Sequence, residues 1–133
     1  MTRRIFMACT IIETKNAPSA VGPYSQAVSA GQLLFVSGQL GLDPKTGELV
    51  SPDFELQARQ ALENINQIVL AAGCRIDQII SVDIYISNIS NLTKLNDIYQ
   101  EYFGKHKPAR AVVEVSGLPK RAGVEIKCIA HKG

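Results

Sequence analysis

KPARAVVEVSGLPKRAGVEIKCIA, residues 107–130, plants one arginine and one glutamate inside two otherwise apolar runs. Read with the two-residue period of a strand, Ala111, Val113 and Val115 lie on one side of the first run, and Arg110, Val112 and Glu114 on the other. After a turn-like segment from Ser116 to Gly123, a second strand puts Val124, Ile126, Cys128 and Ala130 on one side, and Glu125, Lys127 and Ile129 on the other. Each strand thus has one wholly apolar face and one face that mixes charge with apolar bulk. Arg110 cannot lose its proton, so wherever it is partly buried its planar fork needs an anion, best a carboxylate or phosphate held at two points. Glu125 is one such anion and a ligand carboxylate is another. A structural Arg110–Glu125 bridge is reason enough to keep both residues, because removing one partner of a buried pair costs about 3–5 kcal/mol.

Around this stretch, a chain of 133 residues that is 46% hydrophobic and 20% charged reads as one soluble globular domain with a sizeable core. The formal net charge of +2 is unevenly spread: residues 105–133 hold seven Lys or Arg against two acids, so the last quarter is an anion-seeking surface. A small carboxylate ligand, a phosphate backbone and a plain solvated face all fit that balance, but no basic run is interleaved with aromatics. Cys9, Cys74 and Cys128 lack metal-type spacing and, with no secretory signal, read as reduced thiols, Cys128 in the core and Cys74 exposed after a helix-ending glycine. Only His106 and His131 are present, with nothing spaced like a metal site. The uncharged run from Asn16 to Leu42 is broken by prolines and glycines and is not a membrane helix. The opening MTRRIFMACT reads as an extension over residues 1–9, as part of an organelle-targeting piece, or as a leader to a start at Met7, ahead of a single domain at 10–133.

Taken in order, Thr10–Thr14 is a first strand, followed by the loop NAPSAVGPYSQ, ordered by its two prolines and carrying Tyr24. Ala27–Ala30 and Leu33–Gln39 make a hairpin about Gly31. Ser37 and Gly38 end its second arm, either as a bulge or strand exit, or where a ligand or another backbone comes close. Ser51, Pro52 and Asp53 start a helix whose apolar stripe runs from Phe54 to Ala72 and which Gly73 ends. Ile79–Ile86 is a strand; a second helix from Ser90 or Asn91 turns Leu92, Leu95, Ile98, Tyr99, Tyr102 and Phe103 inward and stops at Gly104. Asn96, beside that stripe, reads first as a cap or a bridge to a neighbouring strand. The order predicts an α+β domain, both helices on one face of a mixed sheet. The opposite face, with Val112, Ile129, Tyr85 and charges, is too apolar to stay wet, and homo-oligomerisation through the sheet covers it.

NAPSAVGPYSQAV, FVSGQLGLDPKTGELV, QARQALENINQIVLAAG and KPARAVVEVSGLPKRAGVEIKCIA together resemble the YjgF/RidA family of reactive-intermediate deaminases, from about Thr10 onward. The resemblance implies a chorismate-mutase-like α+β fold and a homotrimer whose sheets line a central barrel, with three clefts between subunits. It implies hydrolysis of 2-imino acids, released as enamines by pyridoxal-phosphate-dependent dehydratases, to 2-keto acids and ammonia, without metal or organic cofactor, in the cytoplasm or an organelle. It puts the catalytic arginine on Arg110, the last-strand glutamate on Glu125 and the loop tyrosine on Tyr24, with substrate contacts at Ser37, Gly38 and Asn96. Val112 stands where many members carry cysteine, which implies a backbone contact there. Arg110 would grip the substrate carboxylate and Glu125 would deprotonate a water. The other classes are RNA binding or cleavage of the translation-inhibitor type, and a module that binds keto or imino acids without turnover.

Overall fold

The alternation at residues 107–130 becomes two strands of a six-stranded sheet in a computed structural model, which describes residues 9–133. The strands are β1 (Cys9–Ile12), β2 (Ala27–Ala30), β3 (Leu33–Leu40), β4 (Ile79–Ile86), β5 (Ala109–Glu114) and β6 (Val124–His131), in spatial order β1-β2-β3-β6-β4-β5. Only β4 and β5 pair in parallel, and that pairing requires the crossover supplied by α2 (Leu92–Phe103). α1 (Phe54–Ala71) connects β3 to β4. The expected α+β class, with a mixed sheet and two helices, is what forms. The expected extension lies outside the described residues except for Cys9, which opens β1. No described helix is long and apolar enough to cross a membrane.

Both helices start and stop where their side chains dictate. The Asp53 carboxylate accepts the Leu56 N–H at 3.1 Å and caps α1. At the other end Gly73 takes a left-handed φ of +82°, and the Cys74 N–H folds back to the Val69 carbonyl at 2.9 Å. This motif turns the residue after the glycine inward. Cys74 is accordingly buried, against the exposure expected from its position behind a helix stop. Burial raises its thiol pKa and pushes that of Cys128, which is in the core as expected, up to about 12.

The core lies between the helices and one face of the sheet. Leu34 and Val36 of β3, Val82, Ile84 and Ile86 of β4, and Val124, Ile126, Cys128 and Ala130 of β6 meet Ala58, Ala61, Leu62, Ile65, Ile68 and Val69 of α1 and Leu95, Ile98 and Phe103 of α2. The apolar stripe of α1 hides two amides that its periodicity did not single out, Gln57 and Asn64. Asn64 Nδ2 donates to the carbonyls of Leu40 and Leu42 at 3.1 and 3.0 Å. Gln57 Nε2 donates to the Ser51 carbonyl at 2.9 Å, and its Oε1 accepts the Gly123 N–H at 2.8 Å. A buried amide must be bonded on both sides, so these two residues tie the exits of β3 and the entry of β6 to one helix.

The open face differs from expectation at one strand. β5 pairs Arg110 with Val82 and Val112 with Ile84, so the Arg110, Val112 and Glu114 set lies on the helix side, and Val112 packs against the core. Val113 takes its place on the open face, where Ile11 and Phe35 are also exposed. Phe35 and Val113 stay 44% and 47% accessible, which leaves an apolar surface in need of cover. Both alternating sets of β5 contain apolar residues, so period two could not say which faced the helices; the parallel register with β4 decides it.

Gly41, where β3 leaves the sheet, runs directly over α1, and a Cβ placed there would lie 2.6 Å from the Gln57 Cα. Gly41→Ala should destabilise the chain by about 3 kcal/mol or more, since backbone must move. Gly47→Ala, in an open turn at φ +73°, should cost about 1 kcal/mol. Urea unfolding checks this; equal midpoints for the two variants would contradict the packing described.

Candidate functional site

β3 slips register against β6 between Val36 and Gln39, and Ser37 and Gly38 occupy the resulting bulge. The bulge reading of the Ser-Gly pair holds, and what comes close to the glycine is a side chain: a Cβ on Gly38 would sit 2.8 Å from Glu125 Oε1. Ser37 is tied down at both polar groups, its Oγ donating to the Ser25 carbonyl at 2.6 Å and its N–H to that of Gln26 at 2.9 Å. The loop bearing Tyr24 is organised less by its prolines than by buried Gln26. That amide donates to the carbonyls of Thr14, Ala17 and Pro18 at 3.0, 3.3 and 2.8 Å and accepts the Thr14 N–H at 2.7 Å.

Tyr24, Ser37, Gly38 and Glu125 line one cavity of about 680 Å³, together with Lys45 and Lys120. Glu125 is half-buried, and desolvation raises its pKa above that of an ordinary glutamate. Among the described residues no hydrogen bond or ion pair engages its carboxylate. A carboxylate that is partly desolvated, unpaired and open to a cavity is a base looking for a proton.

The other expected residues gather elsewhere. Glu125 pairs with Tyr85 and faces the open side, whereas Arg110 pairs with Val82 and faces the helix side. The expectation that both project from matching strand faces is therefore corrected, and the chain contains no Arg110–Glu125 bridge. The Arg110 guanidinium lies over the ring of Tyr99 on α2, 4.7 Å from its centroid, with no ion pair among the described residues. Asn96 stands three residues before Tyr99, on the neighbouring position of the same helix face, exposed and without the cap or bridge expected of it. Arg110 and Val112 on the helix side of β5, and Asn96 on α2, thus lie apart from the Glu125 cavity. Tyr99, under the guanidinium, and Lys120, in the cavity wall, were not singled out by sequence. Tyr99 looked like one more stripe residue, and Lys120 like part of a turn-like segment.

Comparison with known proteins agrees with the fold. Residues 14–132 match the family model described as endoribonuclease L-PSP. A RutC family protein of Pyrococcus horikoshii is 51% identical over 122 residues, 92% of this chain and 97% of the relative. The 2-iminobutanoate/2-iminopropanoate deaminase of Bos taurus is 44% identical over 123 residues, 92% and 90% of the two chains. Among solved structures, the Rid-family protein YyfA of Yersinia pestis superposes with a TM-score of 0.91 at 52% identity, covering 93% of this chain and 99% of its own. E. coli TdcF with bound serine superposes at 0.89 and 40% identity, over 93% and 99%. The fold and these likenesses together define a Rid-type α+β protein. The chain belongs to the YjgF/RidA, or endoribonuclease L-PSP, family.

Gly38→Ala should leave the fold intact, because the obstructing atom is the free end of a side chain, but should drive the Glu125 carboxylate out of its niche. A carboxyl titration by NMR should then show the Glu125 pKa lower than in the parent chain. An unchanged value would mean that the glycine does not set the position of the carboxylate.

Proposed function

We propose that this protein hydrolyses 2-imino acids, with the enamines that tautomerise to them, to 2-keto acids and ammonia, at sites each assembled from two protomers of a homotrimer. The observation that carries this reading is an unpaired, half-buried carboxylate in a cavity and, on the opposite side of the same sheet, an exposed guanidinium that rests on a ring and has no anion. One chain holds them apart, and a second copy of the chain would bring the two together. The exposed apolar positions of the open face give that second copy a surface to rest on. Relatives 41–44% identical that bear the name 2-iminobutanoate/2-iminopropanoate deaminase support the chemistry.

In this mechanism Arg110 holds the substrate carboxylate at two points, with Tyr99 behind it and Asn96 alongside. Glu125 takes a proton from a water as the oxygen adds to the carbon of the protonated imine, which gives the neutral carbinolamine. Glu125 then returns that proton to the nitrogen, and ammonia leaves as the hydroxyl proton passes to solvent and the ketone forms. Tyr24 hydrogen-bonds the substrate or the water. Ser37 and Gly38 hold the wall, and the backbone at Val112 lines the other side. Eliminases that release enamines from hydroxyamino acids, of the pyridoxal-phosphate type, would supply the substrate. The RNA-directed alternative draws on the basic last quarter, but the fold scatters those charges over Arg110 on the helix side, Lys127 on the open side, the turn at Lys120 and Arg121, and Lys132 bonded to Ser29 Oγ at 2.8 Å. These five of the seven cations do not share one face of the sheet, which disfavours a continuous track for a phosphate backbone.

Arg110→Ala and Glu125→Gln should each lower the coupled rate of keto-acid appearance by about 10² or more. Mixed oligomers of the two variants, refolded together, should regain activity, because one interface in the mixture pairs a native Arg110 with a native Glu125. Failure of every mixture to recover would sink the two-protomer site.

Glu125 serves as base only when ionised, so kcat/KM should fall as pH drops through its pKa. With that pKa raised by burial, the acid limb should lie above about 4.3, where an exposed glutamate titrates. For stability the sign is opposite: a raised carboxyl favours the folded state below the unfolded pKa and loses that contribution as pH rises through the folded one. Glu125→Gln should therefore raise the thermal midpoint at pH 7 while removing activity, with the gain vanishing in acid. A lowered midpoint at pH 7 would count against a desolvated carboxylate.

A further inference from the structure

The turn between β5 and β6 carries backbone strain at the cavity wall. Lys120 and Arg121 are consecutive and neither is glycine, yet they take φ of +58° and +56°, in the left-handed region that side chains disfavour. The turn is held there from both ends. The Arg121 N–H donates to the Leu118 carbonyl at 3.2 Å, that of Ala122 to Pro119 at 3.1 Å, and that of Gly123 to buried Gln57 at 2.8 Å. Strain of this kind persists only where the surroundings over-determine it, and it concentrates at ligand sites.

The strained residue is one of only two cations lining the Glu125 cavity, the other being Lys45, and Glu125 is the only acid among the lining residues. The Lys120 ammonium reaches no further than a long, solvent-exposed contact of 3.7 Å to Glu48 Oε2. Such a contact contributes little and exchanges readily. It does not pair with Glu125 either, whose raised pKa arises from burial alone. The cavity wall thus carries two cations that are not paired with its base, and its volume of about 680 Å³ is more than a four-carbon acid fills.

Resting on the imine-hydrolase reading, in which Arg110 of a neighbouring protomer takes the α-carboxylate, we infer that Lys120, assisted by Lys45, is a specificity-determining residue that receives a second acidic group on the substrate. The preferred substrates are then dicarboxylic 2-imino acids, the imines of acidic amino acids. Without a cation in the wall, a second carboxylate would meet Glu125 as the one charged lining residue and be repelled. With Lys120 there, the distal carboxylate replaces Glu48 as its partner.

The test is the ratio of kcat/KM for 2-iminoglutarate to that for 2-iminobutanoate, both generated in solution by amino-acid oxidases and followed by competition with semicarbazide. The wild-type ratio should exceed one. Lys120→Gly removes the charge and suits the left-handed backbone, so the chain should fold, and the ratio should fall by about tenfold. Lys120→Glu should lower it further, and Lys120→Arg should keep it near the wild-type value, a pattern that a merely structural lysine would not produce. Hydrolysis of 2-iminobutanoate with a ratio at or below one, or a ratio unmoved by Lys120→Gly, overturns this assignment and leaves imine hydrolysis standing. Hydrolysis of neither compound overturns both.

Discussion

Side chains at paired positions of neighbouring strands point to the same face of a sheet, and that constraint separates Arg110 from Glu125. Val82 of β4 is buried against the helices and carries Arg110 to that side; Tyr85, three residues on, carries Glu125 to the other. No rotamer change can cross the sheet. One chain therefore holds its expected site residues in two separate places, a carboxylate in a cavity and a guanidinium over an aromatic ring. The proposed assembly, with the helix-side edge of one copy against the open side of the next, would join the two, and the exposed apolar positions Phe35 and Val113 lie on the surface it would cover.

The cavity keeps its shape because its walls are loops bound to the core by buried amides. Gln26 gathers the loop carrying Tyr24, Asn64 holds the exit of β3, and Gln57 grips Gly123 two residues before Glu125. Each amide satisfies several backbone groups that would otherwise be costly to bury. Small residues complete the arrangement: Gly41 lets β3 pass over α1, and Gly38 leaves room for the Glu125 carboxylate. The strained turn at Lys120 and Arg121 depends on the same anchorage, through Gly123 and Gln57. α1 thus serves the site from behind, through polar contacts on a helix whose apolar stripe belongs to the core.

The site also carries costs that packing alone would remove. Glu125 is partly desolvated without a compensating partner, and two adjacent side chains, one of them in the same cavity wall, sit in left-handed backbone. Features that oppose stability and gather around one cavity mark the place where a fold has been shaped for chemistry.

Periodicity and punctuation in the sequence determined the elements. Alternation placed β4 at Ile79–Ile86, Asp53 and Gly73 bounded α1, and the stripe from Leu92 to Phe103 defined α2, because these signals are local and each residue's contribution is visible beside its neighbours. Arg110 and Glu125, residue types that could do chemistry, were legible for the same reason: a charge inside an apolar run needs an explanation wherever it lies; Tyr24 stood out only through the family resemblance. Only the tertiary structure decided which way β5 faces, since both of its alternating sets contain apolar residues and the choice rests on a parallel register with β4. It also decided that Cys74 turns inward, that Gln57 and Asn64 bond to segments far along the chain, and that Lys120 shares a cavity with Glu125. Each of these depends on contacts between residues distant in sequence, where no local pattern records which partner a side chain will meet.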